Sequence, residues 1–155
     1  MELIEKLRAD LKSAMQAGDQ KRTGTLRMLF SAIKNKEIEE RKKDIGLGDQ
    51  DVIAVVQREA KKRKDAIAEY EKAGRPELAE SEKEELAILA VYLPEELPDE
   101  EIIRIIQDGI RQLGTPSEKD TGALMKIIMP SLKGRASGDR ITKLAKDALA
   151  EQAAQ

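Results

Sequence analysis

The segment Lys133-Gly134-Arg135-Ala136-Ser137-Gly138 stands just ahead of the last helical stretch of the chain and is the part best suited to hold an anion. Two glycines let the backbone turn its N–H groups outward, the helix that follows offers its positive dipole end, and Lys133 and Arg135 add full charges. The chemistry is non-covalent: recognition of a phosphate, such as one of an RNA backbone. Between Lys119 and Lys146 the bases are Lys119, Lys126, Lys133, Arg135, Arg140, Lys143 and Lys146, against Asp120 and Asp139. From Glu95 to Asp108 the balance reverses, with Arg104 the sole base among six acids. A plainer arrangement accounts for the same residues: a Gly-Gly connector kept soluble by Lys and Arg, with Asp139 as an N-cap. The sequence leaves both open.

Arg58-Glu59-Ala60-Lys61-Lys62-Arg63-Lys64 is a second basic run. At about 3.6 residues per turn its four consecutive cations fan around most of a helix. Glu59, Asp65 and Glu69 stand ready for pairs at three- or four-residue spacing, so the run reads as a solvated helix ahead of a phosphate contact. Glu84-Glu85 and Asp99 to Glu101 do not form shared carboxylate sites, because adjacent helical residues diverge and acids are favoured at a helix start. Gly46-Leu47-Gly48 follows no strand and lacks the third glycine of a dinucleotide fingerprint. The chain contains no Cys and no His, which removes thiol nucleophiles, imidazole acid–base chemistry and Cys/His zinc sites. No catalytic residue, cofactor or metal is expected.

The elements that must position these residues are all helical. Leu3, Leu7, Leu11, Ala14 and Met15 predict a first helix stopped by Gly18, and Asp19 caps a second that carries Leu26, Leu29, Phe30, Ile33 and Ile38 and fades near Lys43. Asp44 to Asp49 reads as a loop. A long third helix from about Gln50 to Ala73 uses Ile53, Val56, Ala60, Ile67 and Tyr70 and stops at Gly74. Pro76 opens a fourth, anchored by Leu78, Leu86, Ile88, Leu89 and Tyr92, and Pro94 ends it. Ile102, Ile103, Ile106, Ile110 and Leu113 mark a fifth that runs from Asp99 to Gly114. A short helix from Asp120 to Ile128 breaks at Pro130, and a last one from about Asp139 uses Ile141, Leu144, Ala145 and Leu149. These elements give an all-α fold of two helical lobes, residues 1–93 and 99–150, with a Pro-bracketed linker at 94–98 and a frayed tail at 151–155.

Charged residues make up 37% of the chain and aromatic ones 2%, with a formal net charge of −2. Aliphatic side chains must supply the core, and a binder that stacks bases on aromatic platforms is disfavoured. Neither DNA nor a membrane is expected as a partner, since no stretch approaches the ~20 apolar residues of a span. The N-terminus Met1-Glu2-Leu3-Ile4-Glu5-Lys6 shows no basic start followed by an apolar run, which predicts a cytoplasmic protein.

Thr25-Leu26-Arg27-Met28-Leu29, Ala32 to Ile38, Ala73-Gly74-Arg75, Glu82 to Leu86 and Tyr92-Leu93-Pro94 together resemble the YqeY-like (GatB/YqeY) family. The resemblance implies that the C-terminal lobe looks like the tail domain of the GatB component of the tRNA-dependent Asp/Glu amidotransferase. There the tail is thought to touch tRNA, while the reacting centre lies in a domain this chain lacks. By that likeness Lys133, Gly134, Arg135 and Gly138 are the residues to bear on a tRNA phosphate, flanked by Lys126, Arg140 and Lys143. Ser137 stands where the family more often has aspartate, and Ala66 where serine is more usual. The implied function is a non-catalytic tRNA-associated adaptor beside an amidotransferase or an aminoacyl-tRNA synthetase. A protein-binding module and an accessory part of a glutamine-dependent carbon–nitrogen ligase are the alternatives. Fold kinship alone does not transfer function.

Overall fold

The computed structural model describes residues 2–154, and within them the chain is all-α. Seven helices follow one another: α1 (Glu2–Gln16), α2 (Gln20–Glu39), α3 (Asp49–Lys72), α4 (Pro76–Ala90), α5 (Asp99–Leu113), α6 (Thr121–Leu132) and α7 (Gly138–Ala153), with a 3-10 turn (Glu118–Asp120) before α6. No strand occurs among the described residues; one isolated bridge joins Lys133 and Ala136. Internal contacts divide the chain into Met1–Leu93 and Pro94–Gln155, each with its own apolar core.

The first unit packs α1 to α4 around Leu7, Leu26, Leu29, Ile33, Val52, Val56 and Leu89. Gly18 and Gly74 take positive φ after α1 and α3, as residues without a Cβ do at low cost. Asp19 caps α2 by accepting from the Arg22 N–H at 3.1 Å. α2 ends earlier than Lys43, because Arg41 adopts φ 55 and turns the chain away from the helix. Ile38 is 48% and Leu78 40% exposed, so neither anchors the core; Ala79 is the buried residue in the first turns of α4. Leu47, inside a loop, is buried and belongs to the core.

The inner face of α3 also departs from the aliphatic spacing. Its buried residues are Val52, Val55, Val56, Glu59, Ala60 and Arg63, while Ile53, Ile67 and Tyr70 lie at the margin. Beyond Ala60 the inward position is held by a charge. Arg63 Nη1 donates to the Glu59 carbonyl at 3.0 Å and to Glu59 Oε2 at 3.1 Å, and its Nε lies 3.5 Å from Glu85 Oε2 on α4.

The second unit packs α5, α6 and α7 around Ile102, Ile106, Leu124, Ile128, Leu132, Ile141 and Leu149. Gly109 is where α5 meets α6: a Cβ there would lie 2.9 Å from both Ile128 Cγ2 and Leu124 Cδ1. Ser117 and Asp120 form a capping box around the 3-10 turn. Pro130 does not break α6. It removes one helical donor, yet buried Ile128 and Leu132 hold the turn on either side of it, and the Lys133 N–H closes the helix onto the Met129 carbonyl at 2.8 Å. α7 is capped by Ser137, not Asp139, and stays helical through Ala153, so the expected fraying from 151 is not seen; Gln155 lies outside the described residues.

Candidate functional site

Lys133 to Gly138 links α6 to α7 by a tight reversal. Gly134 takes φ 79, a conformation that favours glycine, and the Arg135 N–H donates back to the Leu132 carbonyl at 2.9 Å. Gly138 has no such requirement: a Cβ there would meet nothing within 4 Å. The Ser137 hydroxyl accepts from the Arg140 N–H at 3.3 Å, which satisfies one amide of the α7 N-terminus internally.

The two arginines of the site turn toward the chain that precedes α5. Arg135 Nε donates to the Glu95 carbonyl at 3.0 Å, and the Leu97 N–H donates to the Arg135 carbonyl at 2.8 Å. Arg140 donates from Nε to Asp99 Oδ1 at 2.6 Å and from Nη2 to the Leu97 carbonyl at 2.8 Å, with Glu96 Oε2 3.9 Å from Nη1. Residues 95–99 are thus pinned to the α6–α7 turn by four direct bonds of two arginines and one backbone amide. The acids before α5 partly neutralise Arg140, and Arg104 and Arg111 pair with Glu101 and Asp108 on α5 itself.

Lys126, Lys133 and Lys143 differ from the arginines. All three are exposed, and none enters an ion pair among the described residues. Lys126 lies on α6 between the buried positions Leu124 and Ile128, on the opposite face of the helix, and Lys133 follows seven residues later at its C-cap. Lys143 is set likewise between Ile141 and Ala145 on α7. The site therefore separates into arginines that hold the turn and lysines that face solvent.

The second basic run and the Glu84-Glu85 pair are drawn in part into internal contacts. Arg63 is buried, Lys62 pairs with Glu59 at 3.1 Å, and Glu84 with Lys21 at 3.6 Å. Burial pushes the Glu82 carboxyl above its ordinary range, and the neighbouring Glu85 adds to the effect. Sequence reasoning missed this polar seam; the one available signal was the i,i+4 spacing of Glu59 and Arg63, which does not say which face they occupy. At the end of the first unit Tyr92 donates to Asp10 Oδ2 at 2.5 Å, and burial together with Asp10 pushes the phenol up to about 12. No group of three or more acidic residues suited to a metal ion occurs among the described residues, and no described helix is long and apolar enough to cross a membrane.

Residues 4–149 match the family described as Yqey-like protein. The chain belongs to this family. Among its curated YqeY-like relatives is a protein of Vanderwaltozyma polyspora, 34% identical over 121 residues, covering 74% of this chain and 64% of that one. A Kluyveromyces lactis relative is 41% identical over 108 residues, covering 67% and 57%. One from Clavispora lusitaniae is 32% identical over 135 residues, covering 84% and 76%. Each is named altered inheritance of mitochondria protein 41, mitochondrial. The YqeY-like chain spans less than two thirds of the length of the first two. Those names overturn the expectation of a cytoplasmic protein. It rested on the first six residues, and in a chain that spans only part of its relatives the place where it begins decides nothing about compartment.

Proposed function

We propose that this YqeY-like chain is a non-catalytic tRNA-associated adaptor whose C-terminal unit rests lysines on backbone phosphates, beside an amidotransferase or an aminoacyl-tRNA synthetase. The observation that carries the reading is the set of exposed, unpaired lysines Lys126, Lys133 and Lys143 on α6 and α7. A lysine ammonium without an internal partner is free to neutralise a phosphate, and the release of cations condensed on the nucleic acid then drives association. The likeness of this unit to the GatB tail of the amidotransferase supports RNA as the polyanion. Arg135 and Arg140 act here as positioning residues: they hold residues 95–99 against the turn and thereby fix where the lysines stand.

Fluorescence anisotropy of labelled tRNA against the purified chain at low and moderate salt tests the reading. Saturable binding that weakens steeply with salt is the expected result. No binding at low salt, or binding insensitive to salt, contradicts it. An accessory role in carbon–nitrogen ligation would then be examined by adding the chain to an amidotransferase reaction, where stimulation requires no nucleophile from the chain itself.

A further inference from the structure

The first unit holds a cleft of about 320 Å³ between α1, α2 and the loop that follows α2, a size at the lower end of small-ligand sites, roughly 300 to 1,000 Å³. Ile4, Phe30, Ile33 and Leu47 give it an apolar lining. Leu47 is buried in the core and fixes the loop wall. Ile45, two residues earlier, lines the same cleft yet is 76% exposed, the most exposed of the large apolar side chains described. Gly46 between them takes φ 81, and its N–H is anchored to the Lys42 carbonyl at 2.7 Å. The loop thus commits one aliphatic chain to the core and holds another in water beside an apolar cleft, where a hydrocarbon body would cover it.

The charges of the lining divide into satisfied and unsatisfied ones. Lys34 and Glu37 pair with each other at 3.1 Å, and just beyond the cleft Lys36 and Lys42 pair with Glu40. Glu5 and Arg8 on α1 and Lys43 and Asp44 on the loop line the cleft without any ion pair among the described residues. Each wall therefore offers one acid and one base. A simple anion would meet two acids there and a simple cation two bases. A ligand that carries both signs on one end and a hydrocarbon on the other satisfies all four.

We infer that this cleft binds a small zwitterion with an apolar side chain, of the free amino-acid class. Its carboxylate faces Arg8 and Lys43, its ammonium Glu5 and Asp44, and its side chain lies on Phe30 and Ile33 beneath Ile45.

The test is a methyl-detected NMR titration of the full chain labelled at isoleucine, with L-leucine and L-phenylalanine as probes. Glycine, 4-methylpentanoate and isoamylamine serve as partial ligands that lack the side chain, the ammonium or the carboxylate of leucine. Saturable shifts of Ile4, Ile33 and Ile45 are expected with at least one of the two amino acids, with each partial ligand at least about tenfold weaker. Ile45→Ser, at an exposed position that leaves the core intact, weakens binding about tenfold with an unchanged helical spectrum. If 4-methylpentanoate or isoamylamine binds as well as leucine, the cleft selects a simple ion and the inference fails. It fails equally if glycine matches leucine, if neither amino acid gives a saturable shift, or if Ile45→Ser leaves binding unaltered.

Discussion

Arg140 on α7 and Asp99 at the first position of α5 lie 41 residues apart in sequence and meet through an Nε to Oδ1 bond of 2.6 Å. The same guanidinium reaches the Leu97 carbonyl at 2.8 Å, so one side chain joins the approach to α5 with the start of α7. Arg140→Ala removes both contacts. Asp99 is 60% exposed and solvent screens the pair, so the cost is about 1 kcal/mol, mostly from the carbonyl left without its donor. Urea unfolding of the variant should show that loss, whereas Lys143→Ala should stay within about 0.5 kcal/mol of the parent.

The buried seam on α3 predicts a larger effect. Arg63→Ala leaves Glu59 and Glu85 facing one another's field in a partly dry interface, and breaking such a pair costs about 3 kcal/mol. Combining Arg63→Met with Glu59→Leu removes both charges and should recover most of that loss. Equal destabilisation of the single and double variants in chemical denaturation would mean that the seam contributes through shape and not through charge.

Tyr92 sets an alkaline limit. Its phenol titrates near 10.0 when unperturbed and is pushed up to about 12 in the folded chain by burial and by Asp10, against the opposing influence of Arg22; Lys6 also stands over the ring, 5.5 Å from its centroid. A raised folded value means that the neutral phenol is the favoured form. The stabilisation it provides is complete below pH 10.0 and is lost as pH rises toward about 12. Denaturant midpoints followed across that window should fall in the parent and fall less steeply in Tyr92→Phe.

Two glycines in the second unit should respond in opposite directions to alanine. At Gly109 the new methyl lies 2.9 Å from Leu124 and Ile128, and overpacking of about 1–3 kcal/mol exceeds the helix gain of about 1 kcal/mol. At Gly122 nothing stands within 4 Å of the added Cβ, so only the helix gain of about 0.5–1 kcal/mol remains. Thermal unfolding separates the two: lower for Gly109→Ala, higher for Gly122→Ala.

The helix stops were legible because they are local. Gly18, Gly74 and Gly114 carry their positive φ wherever the chain goes, and Asp19 and Pro76 act within one turn of themselves. The inward turn of Arg63 was not legible, since a run of cations looks alike from every side and its partner Glu85 lies on another helix. The continuation of α6 through Pro130 was hidden for a similar reason: tertiary burial of Leu132 outweighs a local penalty. At the candidate site the residues were identifiable by type, but the division between Arg140 and Lys143 depends on residues 95–99, which the sequence places far away.

The salt dependence of tRNA binding by Lys126→Glu, Lys133→Glu, Lys143→Glu combined in one chain is the sharpest test of the lysine assignment, with Arg140→Ala measured beside it. Three lost phosphate contacts should flatten the slope of log K against log salt by about 2 to 3, since each contact contributes roughly 0.7 to 0.9. Arg140→Ala should keep nearly the parent slope. A triple variant that binds tRNA with the parent's affinity and slope would contradict the role given to these lysines and, with it, the adaptor reading.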